Sequence, residues 1–398
     1  MPRSVVFFVH GMGRHNAGWV SDRDGPAAVL AAAAAHYPGF DDAAALAGAV
    51  ECVEIRYDDI FDGIMSQWAR LADDLAGALP EATPDALARV ADWLAGADDP
   101  DNWFASHALD VLLYHQFALV RRLVQLKVAS LMMKTVAARE AAGASDTTYV
   151  LVAHSLGTAV AHDAVQRMST TDWLRKCDVL LPALDQRTVG AAAGPADIQA
   201  AIDRYGRNPF GPGAFKFEAI FQIANTSRLL ARTAGGNPYR SAVRPMFSGG
   251  GPLTNACRRF VNIDHYLDPV GKVRRFRAEE AWPRAARMGT ARDLFDVRHV
   301  HDINVHALEH YLVHPAVHAE ILFAAARTRF TSDDYAAALR RVVPGGDFPQ
   351  WGAAYLDADL QDEIEDVLVQ LHGGGSVSDL AGVLAALPAI IDDIRSRT

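Results

Sequence analysis

A serine at position 155 stands where an apolar segment gives way to a helical pattern. Residues 147–165 read TTYVLVAHSLGTAVAHDAV, an apolar run followed at once by apolar residues at helical spacing. Small residues, Ala153 and Gly157, flank the serine two positions away on either side, as a sharp strand-to-helix turn requires. A serine on such a turn exposes its hydroxyl beside the N-terminus of a helix. The pattern therefore predicts a nucleophile at Ser155.

A second glycine-containing segment follows the first apolar run, residues 5–9. It reads His-Gly-Met-Gly over residues 10–13. Backbone without side chains can approach a reacting centre closely, so its N–H groups can stabilise a developing negative charge on oxygen. We expect the N–H groups of Met12 and Leu156 to form an oxyanion hole. The residues expected to support these two turns are His10, Gly11, Gly13, His154 and Gly157.

The two motifs together resemble those of the α/β-hydrolase family, and more narrowly its lipase and serine-esterase branch. The resemblance extends in order and spacing over about the first 320 residues, although only the two motifs are specific. It implies an acyl-enzyme on Ser155 and the hydrolysis of an ester-type bond. It also implies that the catalytic acid follows a later strand and that the catalytic histidine comes last in the chain.

The acid is sought in the segment FVNIDHYLDPVGKV, a predicted strand followed by a loop. Asp268 begins the Asp-Pro-Val sequence that the family often has at its acid, and it is the favoured candidate. Asp264 is the competitor, but it lies at the end of the strand, where an aspartate often serves the turn. The acid would hold the imidazole of the histidine in one tautomer and stabilise its charged form.

Six histidines lie between residues 299 and 318, and the last four are spaced by four. That spacing predicts one face of a helix that continues up to Pro315. A catalytic base is best placed in the loop before the helix or at the helix start, which favours His306. His310 is the alternative base, and His301 is the third candidate.

Two other classes of function compete with a serine hydrolase. His306, Glu309 and His310 match the H-x-x-E-H pattern in which two histidines on one helical face hold zinc. This alternative provides no third ligand and leaves the serine motif unexplained. A hydrolase scaffold that has lost its activity and binds other molecules is the second alternative. The presence of all three residue types of a Ser-His-Asp triad disfavours it.

Short apolar runs alternate with helical stretches along the chain, which is typical of an α/β fold with a mostly parallel sheet flanked by helices. The α/β-hydrolase domain is assigned to residues 1–330. The predicted strands are residues 5–9, 50–57, 149–153, 217–223 and 260–264, with a weaker candidate at 294–300.

A helical insert at residues 60–145 and a helical C-terminal appendage at residues 331–398 complete the organisation. The insert is expected to form helices at residues 62–79, 84–95 and 103–142. Its last helix either packs across the domain or belongs to a cap that binds apolar acyl chains. The side chains expected to line such a cap are Leu112, Leu113, Phe117, Leu131 and Met132. Residues 170–214 are interpreted as a surface excursion.

Composition narrows the partners and the compartment. Half of the 398 residues are apolar and the formal net charge is −10, which disfavours a nucleic-acid partner. No apolar stretch is long enough for a membrane-spanning helix, and the run at residues 5–9 is too short for a signal peptide. Three distant cysteines, Cys52, Cys177 and Cys257, are typical of buried residues in a reducing compartment. We expect a cytoplasmic protein without cofactor or metal that acts on a small-molecule ester or lipid-like substrate, with at most weak contact with a membrane surface.

Overall fold

The structure is a computed structural model that describes part of the chain. The described residues are 4–13, 15–40, 42–64, 114, 118–144, 146–168, 217–227, 257–265, 268, 291–297, 299–300, 304, 306–341 and 354–355. The predicted helix at 84–95, the excursion at 170–214, His301 and Cys177 lie outside them. So do most of the predicted helix at 62–79, most of the appendage, and Leu112, Leu113 and Phe117 of the insert.

Among the described residues, six parallel strands form the main sheet, in the order β2-β1-β3-β4-β5-β6. The predicted α/β class with a parallel sheet is therefore confirmed. Strand β2 ends two residues earlier than predicted, and residues 58–64 are already helical. The weak candidate at 294–300 becomes the edge strand β6 and a separate short strand. The strands are β1 Ser4–Val9, β2 Val50–Ile55, β3 Thr148–His154, β4 Phe217–Ile223, β5 Cys257–His265 and β6 Ala291–Val297.

The register of the sheet brings the two predicted motifs side by side. Val9, the last residue of β1, lies opposite Ile55 of β2 and Ala153 of β3. Because parallel strands end at the same edge, the loop after β1 and the turn after β3 leave the sheet next to each other. All six residues of β1 are buried, since helices cover both faces of a parallel sheet.

Helices cover the two faces unequally. Helices α3 (Ala118–Ala141) and α4 (Leu156–Met168) pack against each other on one face. The opposite face holds a buried cluster in which Val6 and Phe8 of β1 pack with side chains of the remaining described helices. Those helices are α1 Pro26–Ala34, α2 Ala43–Ala49, α5 Leu308–Val313, α6 Pro315–Ala325 and α7 Ser332–Arg341.

The described part of the insert belongs to the domain interior. Helix α3 spans Ala118–Ala141, and of residues 103–117 of the predicted helix the structure describes only Tyr114, which is helical. Gln125 of α3 donates to the Asp163 carboxylate of α4 at 3.0 Å, and Met132 is fully buried. The burial of Met132 favours the alternative in which this helix packs across the domain, since α3 packs on α4. Leu131 is half-buried.

The histidine-rich segment forms two helices rather than one. Pro315 lacks an N–H group and disfavours helical backbone in the residue before it, so His314 is extended, with φ −66° and ψ 124°. The His314 side chain instead caps α6 by accepting from the Ala316 N–H at 3.2 Å. His306 precedes α5, so the predicted single histidine face, which included His306, is wrong.

The start of the predicted appendage packs on the domain. Helix α7 lies against α6, where the Tyr335 hydroxyl donates to Glu320 and Ala338 is fully buried. Ala354–Tyr355 (β8) pairs antiparallel with His299–Val300 (β7), so a short strand occurs where only helices were expected.

The described cysteines and helices agree with the expectations from composition. Cys52 is half-buried and Cys257 is buried, and both thiols are free. Burial raises the pKa of Cys52 to about 12 and that of Cys257 further, so both thiols stay protonated. Of the helices in the described ranges, none combines the length and the apolar character needed to cross a membrane.

A buried histidine of α6 joins the segment after α1 to α5. His318 is fully buried, its Nδ1–H donates to the Leu312 carbonyl at 3.0 Å, and its Nε2 accepts from the Tyr37 hydroxyl at 2.7 Å. Burial, above all, lowers the pKa of His318 to about 3. In the unfolded chain a histidine has a pKa of about 6.5. As the pH falls from 6.5, the unfolded state therefore binds a proton that the folded state excludes, and the free energy of unfolding decreases.

We expect the variant His318→Gln to lose part of this pH dependence. In urea titrations between pH 7 and pH 5, the free energy of unfolding of the wild type should fall as the pH is lowered. Below pH 6.5 the fall should be shallower in the variant by about 1.4 kcal/mol per pH unit, the contribution of one proton. Tyr37→Phe is the control, because it removes a hydrogen bond but leaves the neutral histidine buried. Equal slopes for His318→Gln and the wild type would contradict the expectation.

Candidate active site

Ser155 occupies a strained turn between β3 and α4. Its φ is +52°, in the left-handed region that residues with a side chain rarely adopt. The Ser155 N–H donates to the Ile223 carbonyl at 3.0 Å, across to the end of β4. The Ser155 carbonyl accepts from the Thr158 N–H at 2.9 Å, the Thr158 hydroxyl at 2.6 Å and the Thr226 hydroxyl at 2.8 Å. These hydrogen bonds offset the cost of the backbone conformation.

The glycines of the two motifs allow the loop after β1 to touch this turn. A Cβ on Gly157 would lie 2.1 Å from the His10 carbonyl oxygen, and a Cβ on Gly11 would lie 2.8 Å from the Ser155 Cβ. Gly13 has a φ of +93°, which also favours glycine. Both motifs therefore need glycine at these positions, because the two segments pack directly on each other.

His306 bridges Ser155 and Asp268. Its Nε2 lies 2.9 Å from the Ser155 Oγ, and its Nδ1 lies 2.7 Å from the Asp268 Oδ2. Because a carboxylate can only accept, the Nδ1 donates, and the Nε2 is left to accept from the serine hydroxyl. Ser155 and Asp268 are buried, and the His306 side chain is 15 % exposed. The structure brings together the three residues favoured as nucleophile, base and acid.

A tyrosine that the sequence did not single out also binds the acid. The Tyr311 hydroxyl donates to the Asp268 Oδ2 at 2.6 Å, and both groups are fully buried. Burial alone would raise the pKa of Asp268, but the nearby His306 and the hydrogen bonds from His306 and Tyr311 together hold it well below the usual range. Asp268 therefore remains a carboxylate at neutral pH.

The alternative acid and base lie elsewhere. Asp264 is buried at the end of β5, where its Oδ2 accepts from the Asn262 side chain at 3.1 Å. The ring of His310 is buried one turn into α5 and packs against the ring of His265, with centroids 4.9 Å apart. The described partners of Ser155 and Asp268 thus include His306 rather than His310.

The H-x-x-E-H residues do not form a metal site. His306 precedes α5 while Glu309 and His310 lie within it, so the expected i, i+4 pair on one helical face is absent. Both ring nitrogens of His306 already face Ser155 and Asp268. Within the described ranges, the potential ligand atoms of the three residues do not form a cluster.

One other group, His10, His15 and Asp58, brings potential ligand atoms together. The rings of His10 and His15 stack with centroids 4.2 Å apart and 25° between their planes, so their lone pairs run side by side rather than converge. The His10 Nδ1–H donates to the Gly11 carbonyl at 2.8 Å, and its Nε2 accepts from the Tyr57 N–H at 3.3 Å. Burial is the main reason that the pKa of His10 is lowered and that of His15 falls to about 4. With both imidazoles neutral and the His15 backbone N–H donating to the Asp58 carboxylate at 2.9 Å, this group suits anchoring of the loop better than metal binding.

Tyr57 and His154 complete the contacts of the two motifs. Tyr57 was not singled out from the sequence, and His154 was expected to support the turn but not to bind His306. The Tyr57 hydroxyl donates to the His10 carbonyl at 2.8 Å, and its ring stacks on His10 with centroids 4.1 Å apart. The His154 Nε2–H donates to the His306 carbonyl at 2.6 Å. In the sequence, position is what marks these residues, since Tyr57 follows the end of β2 and His154 directly precedes Ser155.

The arrangement can activate a hydroxyl and hold a negative charge next to it. Leu156 begins α4, so its N–H lies among those that a helix leaves without an intrahelical acceptor. Met12 follows Gly11, whose Cα packs against Ser155. A serine, a base and an oriented carboxylate beside such backbone donors can carry out acyl transfer. Comparisons of the chain with family models, with curated proteins and with solved structures found no match.

Proposed function

We propose that this protein is a serine hydrolase of the α/β-hydrolase type that cleaves an ester-type bond through an acyl-enzyme. The observation that carries the proposal is the hydrogen-bonded line from Ser155 through His306 to Asp268, built on a left-handed turn between a strand and a helix. The strain at Ser155 supports a functional role, because such backbone persists only where surrounding contacts enforce it.

In the first half of the proposed reaction, the Ser155 Oγ attacks the carbonyl carbon of the ester while the His306 Nε2 takes its proton. The carbonyl oxygen becomes an oxyanion that the N–H groups of Met12 and Leu156 stabilise. His306 then donates the proton to the leaving alcohol as the ester C–O bond breaks. Asp268 stays ionised throughout and stabilises the imidazolium without taking its proton.

In the second half, water attacks the acyl-enzyme. His306 takes a proton from the water, and the oxyanion forms again in the same place. When the bond to the Ser155 Oγ breaks, the proton returns to the serine, and a carboxylic acid is released. No step needs a metal or an organic cofactor, and the proposed substrate class is a small-molecule or lipid-like ester.

We expect Ser155→Ala to abolish hydrolysis of short p-nitrophenyl esters. Loss of the nucleophile should lower kcat by at least about 10³-fold, because what remains comes from binding and backbone donors alone. A fluorophosphonate probe should label the wild type and fail to label the variant. Ser21→Ala is the matched control, since this exposed serine should be replaceable without effect on rate or labelling. Hydrolysis or labelling that persists in folded Ser155→Ala protein would refute the proposed function.

A second pair of variants separates the base from its alternatives. His306→Gln should reduce kcat by about 10³-fold or more, because glutamine cannot accept and return the proton. His310→Gln should keep the rate of the folded protein within about threefold, since its ring contacts His265 rather than Ser155. Rates with p-nitrophenyl acetate, scaled by the folded fraction from circular dichroism, provide the measurement. Equal losses in the two variants, with sensitivity to a chelator, would instead favour the zinc alternative.

A further inference from the structure

His154 forms a second connection between the nucleophile turn and the base. It is the residue directly before Ser155, and its Nε2 lies 2.6 Å from the backbone carbonyl oxygen of His306. A carbonyl can only accept, so the Nε2 carries a proton and donates. The rings of His154 and His306 lie against each other, with centroids 4.8 Å apart. His306 is thus held through its ring by Ser155 and Asp268 and through its backbone by His154.

The backbone at His306 depends on such a contact because the helix does not hold it. Helix α5 begins only at Leu308, and its N-cap residue, Ala307, has no side chain that can cap the helix. The Ala307 N–H donates to the Asn304 carbonyl at 3.0 Å, which closes a turn before the helix. The His306 carbonyl precedes the helical hydrogen bonds and is bound by His154 instead.

His154 is suited to act as a permanent donor. Burial first, and then the neighbouring His306, lower its pKa to about 3. The imidazole is therefore neutral near pH 7, with its single N–H directed at the His306 carbonyl. The loop after β1 also confines the His154 ring, since a Cβ on Gly11 would lie 3.1 Å from the His154 Nδ1.

We propose that His154 is a positioning residue, whose hydrogen bond to the His306 carbonyl keeps the base aligned when Ser155 no longer binds it. This inference rests on the proposed function. In the free enzyme, the Ser155 hydroxyl donates to the His306 Nε2 and helps to align the ring. In the acyl-enzyme, that oxygen is esterified and has no proton to donate. Asp268 and His154 then remain to hold the base while it activates water.

The inference implies that the two halves of the reaction respond differently to loss of this hydrogen bond. Acylation starts from the aligned Ser155–His306 pair and should be affected little. Deacylation relies on His154 and should slow, since a small misplacement of a catalytic group can cost about 10²-fold in rate. An acyl-enzyme should consequently accumulate.

The test compares His154→Asn with His154→Gln. The glutamine amide places an N–H donor about as far from the backbone as the Nε2 of histidine. The asparagine amide also carries a donor, but its side chain is too short to reach the His306 carbonyl. With p-nitrophenyl acetate under stopped flow, His154→Asn should show a burst of nitrophenol of one equivalent and deacylation slowed by about 10- to 100-fold. The fluorophosphonate labelling rate should change by less than about threefold. His154→Gln should recover most of the deacylation rate.

Three outcomes would overturn the inference while leaving the proposed function intact. The first is a wild-type deacylation rate in His154→Asn, and the second is an equal decrease of the deacylation rate in His154→Asn and His154→Gln. The third is that acylation and deacylation slow equally in His154→Asn. A wild type that is not labelled at Ser155 would overturn both proposals. If a variant fails to fold, nitrogen NMR of the wild type with isotope-labelled histidine provides a second test, because it reports which ring nitrogen of His154 carries the proton. His154 should be neutral and protonated on Nε2 from pH 5 to pH 8, and a proton on Nδ1 would overturn the inference.

Discussion

The left-handed backbone at Ser155 is the constraint on which the site depends. The turn between β3 and α4 places the serine at the carboxyl end of the strands. Its positive φ is a conformation that residues with a Cβ disfavour. Hydrogen bonds to the Ile223 carbonyl at the end of β4 and from two threonine hydroxyls stabilise this conformation. Ala224, directly after β4, has the same arrangement, with φ +51° and an N–H that donates to the Ile263 carbonyl. The ends of β3 and β4 are thus each held by the strand that follows in the sheet.

Local pattern was sufficient to predict the parts of the site that lie within one turn of a strand end. Ser155 and the loop around Gly11 follow apolar strands directly, so their position at the carboxyl edge follows from the parallel sheet alone. Asp268 and His306 came from the family resemblance and from position relative to a predicted helix. The structure brings these residues together, and their chemical roles remain proposals.

The rest depends on tertiary contacts that no local pattern encodes. Thr226 lies 71 residues from the carbonyl that it binds, and Tyr311 lies 43 residues from Asp268. The predicted helix through His306 is wrong at its start, because the spacing of the histidines does not reveal that the helix begins only at Leu308. For Met132 the sequence left two positions open, since an apolar helical stripe has the same period whether it faces a ligand or the core.

The hydrogen bonds described for the nucleophile turn join neutral groups, backbone amides and threonine hydroxyls, in the buried interior of the protein. Dissolved ions screen interactions between exposed charges and have little effect on such contacts. The amino end of the sheet is different, because Glu218 there faces Arg258, whose side chain is 70 % exposed, at 3.5 Å. Changes in ionic strength should thus weaken the exposed Glu218–Arg258 pair and leave the hydrogen bonds that hold the nucleophile turn almost unchanged.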